Sequence, residues 1–341
     1  MYNPLLKIIA TLLGIVLNIG VAIPGNTTTI QVPVPINQPS TNEKSTPTQV
    51  QNPSKSTQNS TKVQLPANKS DKRIIGTKRT IEDRVRQRVR SLPEVSSAVQ
   101  KQSSGNVTVL AGDPSVGSQV IQTATDLIQS AALPIIKTNL GLAPGNSAFV
   151  VLFSSPRTYG NSLLRAGVDN SLISSITANT GGLTINSTIW IPLYNLQDQS
   201  DLANVLAHEL THVVVNQYGI GNTLPTWVNE GIAWRDGLMA QEKMNPNVVA
   251  YEMRALSQEV GEAKRSGRLL PLTATESDIL NSEYNVEYQD FMAVEQLVKK
   301  YGSNALQTFI QQANKTSISQ DFEDVFHAGI EQFQDSFTQT L

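Results

Sequence analysis

Residues 208–233 read HELTHVVVNQYGIGNTLPTWVNEGIA, and their reading decides the fold. Side chains four apart on an α-helix differ in direction by about 40°, so His208 and His212 can converge on one metal ion. Zn²⁺ suits neutral imidazole nitrogens, at about 2.0–2.1 Å. Glu209 lies beside the first imidazole, where a carboxylate can reach a water on the ion. The chain has three histidines and two of them stand in this pentapeptide. Downstream, Gly219-Ile220-Gly221-Asn222 is built for a turn, and Pro225 suits the start of a second helix running through Trp227-Val228-Asn229-Glu230-Gly231-Ile232-Ala233. A helix–turn–helix of this length can fold Glu230 back towards the histidines as a third ligand.

H-E-x-x-H followed by W-x-N-E-G-x-A resembles the gluzincin zinc metallopeptidases, the broad clan that includes thermolysin and aminopeptidase N. The later "YQDFMAVEQLVKKYG" stretch, from Tyr288 to Gly302, is similar more narrowly to the peptidase-MA-like domains of bacterial proteins. The likeness covers about residues 148–340 and is densest around 201–240. It implies an α+β, zincin-like fold, with an N-terminal sheet subdomain and a C-terminal helical subdomain. It implies Zn²⁺ held by His208, His212 and Glu230, with Glu209 as general base for water attacking a peptide bond. In related gluzincins a tyrosine from a later helix can steady the oxyanion, which makes Tyr288 the candidate here and Tyr284 the alternative.

Three departures from the clan are visible. No Gly-x-Met-Glu-Asn stretch, the aminopeptidases' grip on a free amine, occurs, so endopeptidase action is favoured over aminopeptidase action. The interval from His212 to Glu230 is one residue shorter than in aminopeptidase N relatives. The thermolysin-type aspartate four residues after the third ligand is replaced by Trp234, leaving Asn229 or Asp236 to support the ligands. Other readings stand beside these. The two histidines could be structural, and Tyr288 could be packing alone. His327 reads as a helix C-terminal residue facing the dipole. The whole could be a tethered, non-catalytic binding or scaffold domain with a structural zinc site, or a zinc amidase acting on wall peptides.

Composition narrows the setting. The absence of cysteine excludes a disulfide framework, cysteine-ligated zinc and thiol catalysis. Lys7 precedes an apolar run from Ile8 to Ile23, so residues 1–25 read as a signal peptide or signal anchor and the protein as extracytoplasmic, secreted or membrane-anchored. Residues 26–70 are rich in Thr, Asn, Gln, Ser, Pro and Lys; they cannot bury enough apolar surface to order themselves and read as a disordered polar linker. Residues 71–105 read as a basic amphipathic helix and linker, with Ile81, Val85, Val89 and Leu92 at helical spacing. The first 90 residues carry a net charge of +9 and the remainder −11. That asymmetry allows the N-terminus to associate with a membrane or cell wall, while the acidic remainder argues against nucleic acid. The expected partner is a peptide or protein substrate.

Residues 106–341 read as the metallopeptidase domain. The patterning predicts strands over Val107–Ala111, Ala148–Phe153 and Leu183–Leu193, and a helix over about 118–139. Ser200 is the expected N-cap of the metal helix, with Asp201 in its first turn. Helices are expected near 246–265, 283–301, 303–314 and 318–338. In zincins an antiparallel edge strand just before the metal helix binds extended substrate, a part that Thr188 to Pro192 can play.

Overall fold

Val107, Val109, Val150, Leu152, Ile189 and Ile191 have no exposed surface, and their alternation with more polar neighbours dictates one buried face of a sheet. The computed structural model describes residues 100–341 except 276, 277, 280 and 314. The sheet is built from β1 (Lys101–Ser104), β2 (Val107–Ala111), β3 (Ala148–Phe153), β4 (Leu183–Ile185) and β5 (Thr188–Pro192), in the order β1-β2-β3-β5-β4. β2, β3 and β5 run parallel; β1 and β4 flank them antiparallel. The architecture is therefore mixed α+β around a mixed sheet. β1 falls within the stretch expected to be linker, so the folded part begins at least five residues before Asn106.

Helices cover both faces. On one lie α1 (Ser118–Leu127), continued through a π-helical turn at Ile128–Ala132 into α2 (Leu133–Leu140), and the long α5 (Gln199–Gln217). They bury Ile121, Ile128, Ile136, Leu206, Leu210 and Val213 against the aliphatic face. On the other, α3 (Pro156–Ala166) and α4 (Asn170–Asn179) pack Tyr159, Leu163 and Ile176 over Phe153, Leu183, Ile185 and Trp190. Beyond α5 the chain is helical: α6 (Thr226–Met244), α7 (Pro246–Arg265), α8 (Val286–Tyr301), α9 (Ser303–Gln312), α10 (Ile318–Phe326) and α11 (Ile330–Thr340). Among the described residues no helix is long and apolar enough to cross a membrane.

Four local expectations are corrected. The stretch 183–193 is a hairpin, folded at Asn186-Ser187 with Asn186 in the left-handed region at φ 58°. Asparagine tolerates that conformation through its short polar side chain. As a result β5 is an interior strand, and the antiparallel edge beside the metal helix is β4, not Thr188–Pro192. The N-cap of α5 is Asp198, whose carboxylate accepts from the backbone N–H of Ser200 at 2.6 Å and of Asp201 at 3.2 Å. The Ser200 hydroxyl is itself spent on Asp198. Finally, the expected helix over 318–338 is broken at His327, a left-handed C-cap with φ 52°. The reading of His327 as a helix C-terminal residue is consistent with that place.

The signal segment, the polar linker and the basic helix fall outside the described residues.

Candidate metal centre

α5 and α6 are consecutive and antiparallel, and that pairing assembles the site. Nearly every residue of α5 from Leu202 to Val215 is buried, so His208, Glu209 and His212 face protein on all sides. Gly231 lets α6 approach α8: a Cβ there would lie 2.5 Å from the Asp290 carbonyl oxygen and 2.5 Å from Val294 Cγ2. The close packing fixes the turn of α6 that carries Asn229 and Glu230.

Three ligand atoms converge. His208 Nε2 and His212 Nε2 are 3.2 Å apart, and Glu230 Oε2 lies 3.5 Å from the second and 4.0 Å from the first. A point equidistant from all three lies about 2.1 Å from each, within the range for zinc–nitrogen and zinc–carboxylate bonds. Glu230 Oε2 is buried and accepts no hydrogen bond, although an orphaned carboxylate oxygen is costly. A cation between these atoms would satisfy all three, so the donor set fits Zn²⁺, for which two imidazoles and one carboxylate leave a fourth position open.

Both imidazoles are held from behind. Asn229 Oδ1 lies 3.3 Å from His212 Nδ1, which suits a tautomer with hydrogen on Nδ1 and the lone pair on Nε2. Trp234 sets its ring edge-on to His208, with centroids 5.8 Å apart, and donates its indole N–H to Glu287. Asp236, the other proposed support, turns elsewhere. It accepts from Asn139 Nδ2 at 2.6 Å and faces the Thr211 hydroxyl at 2.8 Å, buttressing α5 against α2 and α6.

Glu209 is 2 % exposed. Thr184, on the inner side of edge strand β4, donates its hydroxyl to Glu209 Oε2 at 2.5 Å. Gly182 leaves room beside the other oxygen, since a Cβ there would fall 2.7 Å from Glu209 Oε1. Burial pushes the Glu209 carboxyl up to about 7, against the pull of His212 and of the Thr184 hydroxyl. Burial and the neighbouring His212 hold His208 well below the ordinary histidine value. His212 goes the other way, up to about 9: burial pulls it down, but the facing Glu230 carboxylate, with Glu209 and Asn229, together outweighs that pull. Burial, with Glu230 and Glu287 nearby, raises the Asp290 carboxyl well above the usual range. Glu230 thus favours positive charge at His212 and disfavours a second negative charge at Asp290.

The structure brings His208, Glu209, His212 and Glu230 together. Tyr288 stands one ring further out: it packs edge-on to Trp234, centroids 5.2 Å apart, while Trp234 touches His208. Tyr284 is committed elsewhere, its hydroxyl bonded to the Leu270 amide and to Gln289. Thr184 is the partner that sequence reading missed. Its one visible signal is a lone polar side chain between Leu183 and Ile185, on the opposite face of the strand from both.

No protein-family model matches this sequence, and no curated protein matches it.

Proposed function

We propose that this chain is an exported, zinc-dependent metallopeptidase of gluzincin type with a zincin-like domain, acting on internal peptide bonds of extended polypeptides. The observation that carries the reading is the convergence of His208 Nε2, His212 Nε2 and Glu230 Oε2 with the buried carboxylate of Glu209 adjacent in the same helix. An intact base argues against a purely structural site, which needs none. A zinc ion held by the three ligands supplies a Lewis acid that polarises the substrate carbonyl and acidifies water.

The chain's own residues do the rest. Glu209 takes a proton from the attacking water as the C–O bond forms, and gives it to the amide nitrogen as the C–N bond breaks. One water is consumed, and a carboxylate and a protonated amine result. The resemblance makes Tyr288 the candidate donor to the oxyanion.

Edge strand β4 offers the substrate a template. In a two-residue hairpin the pair flanking the turn, Ile185 and Thr188, is the hydrogen-bonded one. The next pair, Thr184 and Ile189, therefore directs the Thr184 N–H and C=O to the open side of the sheet. An extended peptide pairing there runs alongside Glu209. The sequence places the domain outside the cytoplasm, behind an export signal and a polar tether.

The test compares zinc-loaded wild type with Glu209→Gln and Tyr288→Phe on unfolded casein, with and without a chelator. Wild type should cleave internally and lose activity on chelation. Glu209→Gln should bind zinc yet fall by about 10²–10⁴-fold in rate, and Tyr288→Phe by about 10–10³-fold. Zinc-binding wild type that cleaves neither casein nor wall peptides would favour the scaffold reading instead.

A further inference from the structure

We propose that Thr184 is the positioning residue of the general base: its hydroxyl ties up Glu209 Oε2 and leaves Oε1 as the oxygen that takes the proton. This rests on the peptidase reading, and it assigns edge strand β4 a second duty besides pairing with substrate.

The argument is one of hydrogens and room. To take a proton Glu209 must be ionised, and an ionised carboxylate only accepts, so in the state that acts as base the hydrogen of the 2.5 Å contact belongs to Thr184. The hydroxyl has one hydrogen to give. Its other near neighbour, the Glu209 backbone oxygen at 3.4 Å, is at the limit of hydrogen-bond distance. Thr184 is 3 % exposed and Glu209 2 %, so water does not compete for the bond. The carboxylate has little freedom to turn. Gly182 lies against Oε1 and Cγ, and a Cβ at that position would also come within 2.8 Å of Val205 Cγ1. Thr184 and Gly182, with one residue between them on the β4 side, thus face the two carboxylate oxygens, Thr184 as donor at Oε2 and Gly182 with no side chain to crowd Oε1. Among the described residues the hydrogen bonds of the Thr184 hydroxyl go to Glu209, so it acts through Glu209. Because its backbone N–H and C=O face the open edge, one residue both aligns the substrate strand and orients the base.

The experiment uses the full chain and four variants: Thr184→Val, Thr184→Ser, Glu209→Ala and the Thr184→Val/Glu209→Ala double variant. One arm follows hydrolysis of an extended fluorogenic peptide by zinc-loaded protein. Thr184→Val should lower kcat about 10–100-fold, with KM and zinc affinity within about twofold, and Thr184→Ser should restore most of the rate. The other arm measures the unfolding equilibrium of chelator-treated protein. Thr184→Val should shift it about tenfold towards unfolding beside Glu209 and leave it within about twofold in the Glu209→Ala background. An unchanged kcat in Thr184→Val overturns the proposal. So does an equal stability loss with and without Glu209, which marks Thr184 as general packing. If wild type hydrolyses nothing, the peptidase reading falls, and the stability arm still decides whether Thr184 holds Glu209.

Discussion

Asn229 Oδ1 lies 3.3 Å from Nδ1 of His212, so the helix that supplies Glu230 also orients an imidazole on the helix before it. The asparagine stands directly before the carboxylate ligand in sequence. One turn of α6 therefore carries Glu230 and the side chain that faces His212. Asn229→Ala should weaken zinc binding about 10–100-fold, measured by competition with a chromogenic chelator. It should leave the fold intact, because Asn229 is only half-buried. Zinc affinity equal to wild type would show that the ring is held by packing, with Trp234 the main support.

Asp236 carries a different prediction, in pH. Thr211 has a single hydroxyl hydrogen, with the Ala207 carbonyl at 2.9 Å and Asp236 Oδ2 at 2.8 Å both in reach. If that hydrogen goes to Ala207, Oδ2 faces a bare hydroxyl oxygen and is best satisfied by carrying a proton itself. Burial raises the Asp236 carboxyl from 3.8 to about 6, opposed by hydrogen bonds from Asn139 and Thr211. The folded state therefore binds this proton more tightly than the unfolded one. Its contribution to stability is greatest below pH 3.8 and is lost as pH rises to about 6, by on the order of 2–3 kcal/mol. Asp236→Asn reproduces the protonated geometry, with Oδ1 accepting from Asn139 and the amide donating to Thr211. It should be at least as stable as wild type at pH 7 and should flatten the profile between pH 4 and 6, read by urea titration at several pH values. A variant clearly weaker than wild type at pH 7 would mean that the charged form is the stable one.

The helix that carries His208 and His212, and the return of Glu230 towards them, were legible because their signals are local. Four-residue spacing, a glycine-rich turn and a proline before the next helix fix geometry within a few turns of chain. The hairpin at Asn186-Ser187 was not legible, for a physical reason. Leu183, Ile185, Ile189 and Ile191 keep one alternation, as if a single strand ran through. Folding a two-residue turn into that run sends Leu183 and Ile185 to the α3–α4 side and Ile189 and Ile191 to the α5 side. Both faces are buried, so the sequence carries no polar row to mark the change. The contact of Thr184 with Glu209 depends on that fold and on a separation of 25 residues, which no local pattern encodes. The break at His327 escaped for a similar reason, since the left-handed residue is a histidine and the nearest glycine lies two positions on.

Gly231 offers a prediction in which the sign itself decides. In an exposed helix interior, glycine to alanine stabilises by roughly 0.5–1 kcal/mol, because the unfolded chain loses freedom. At Gly231 the added methyl would sit 2.5 Å from the Asp290 carbonyl oxygen and from Val294 Cγ2, and backbone cannot yield as a flexible side-chain end can. Gly231→Ala should therefore destabilise the protein, by about 1–3 kcal/mol, as overpacking of a tight interior does. It should also weaken zinc binding, because any shift that pushes α6 away from α8 moves Glu230, the neighbouring residue, relative to the imidazoles of α5. Denaturant midpoints and chelator competition on the same preparation separate the two effects. A more stable variant with unaltered zinc affinity would show that α6 and α8 are further apart than their packing here, and that the seat of Glu230 is set elsewhere.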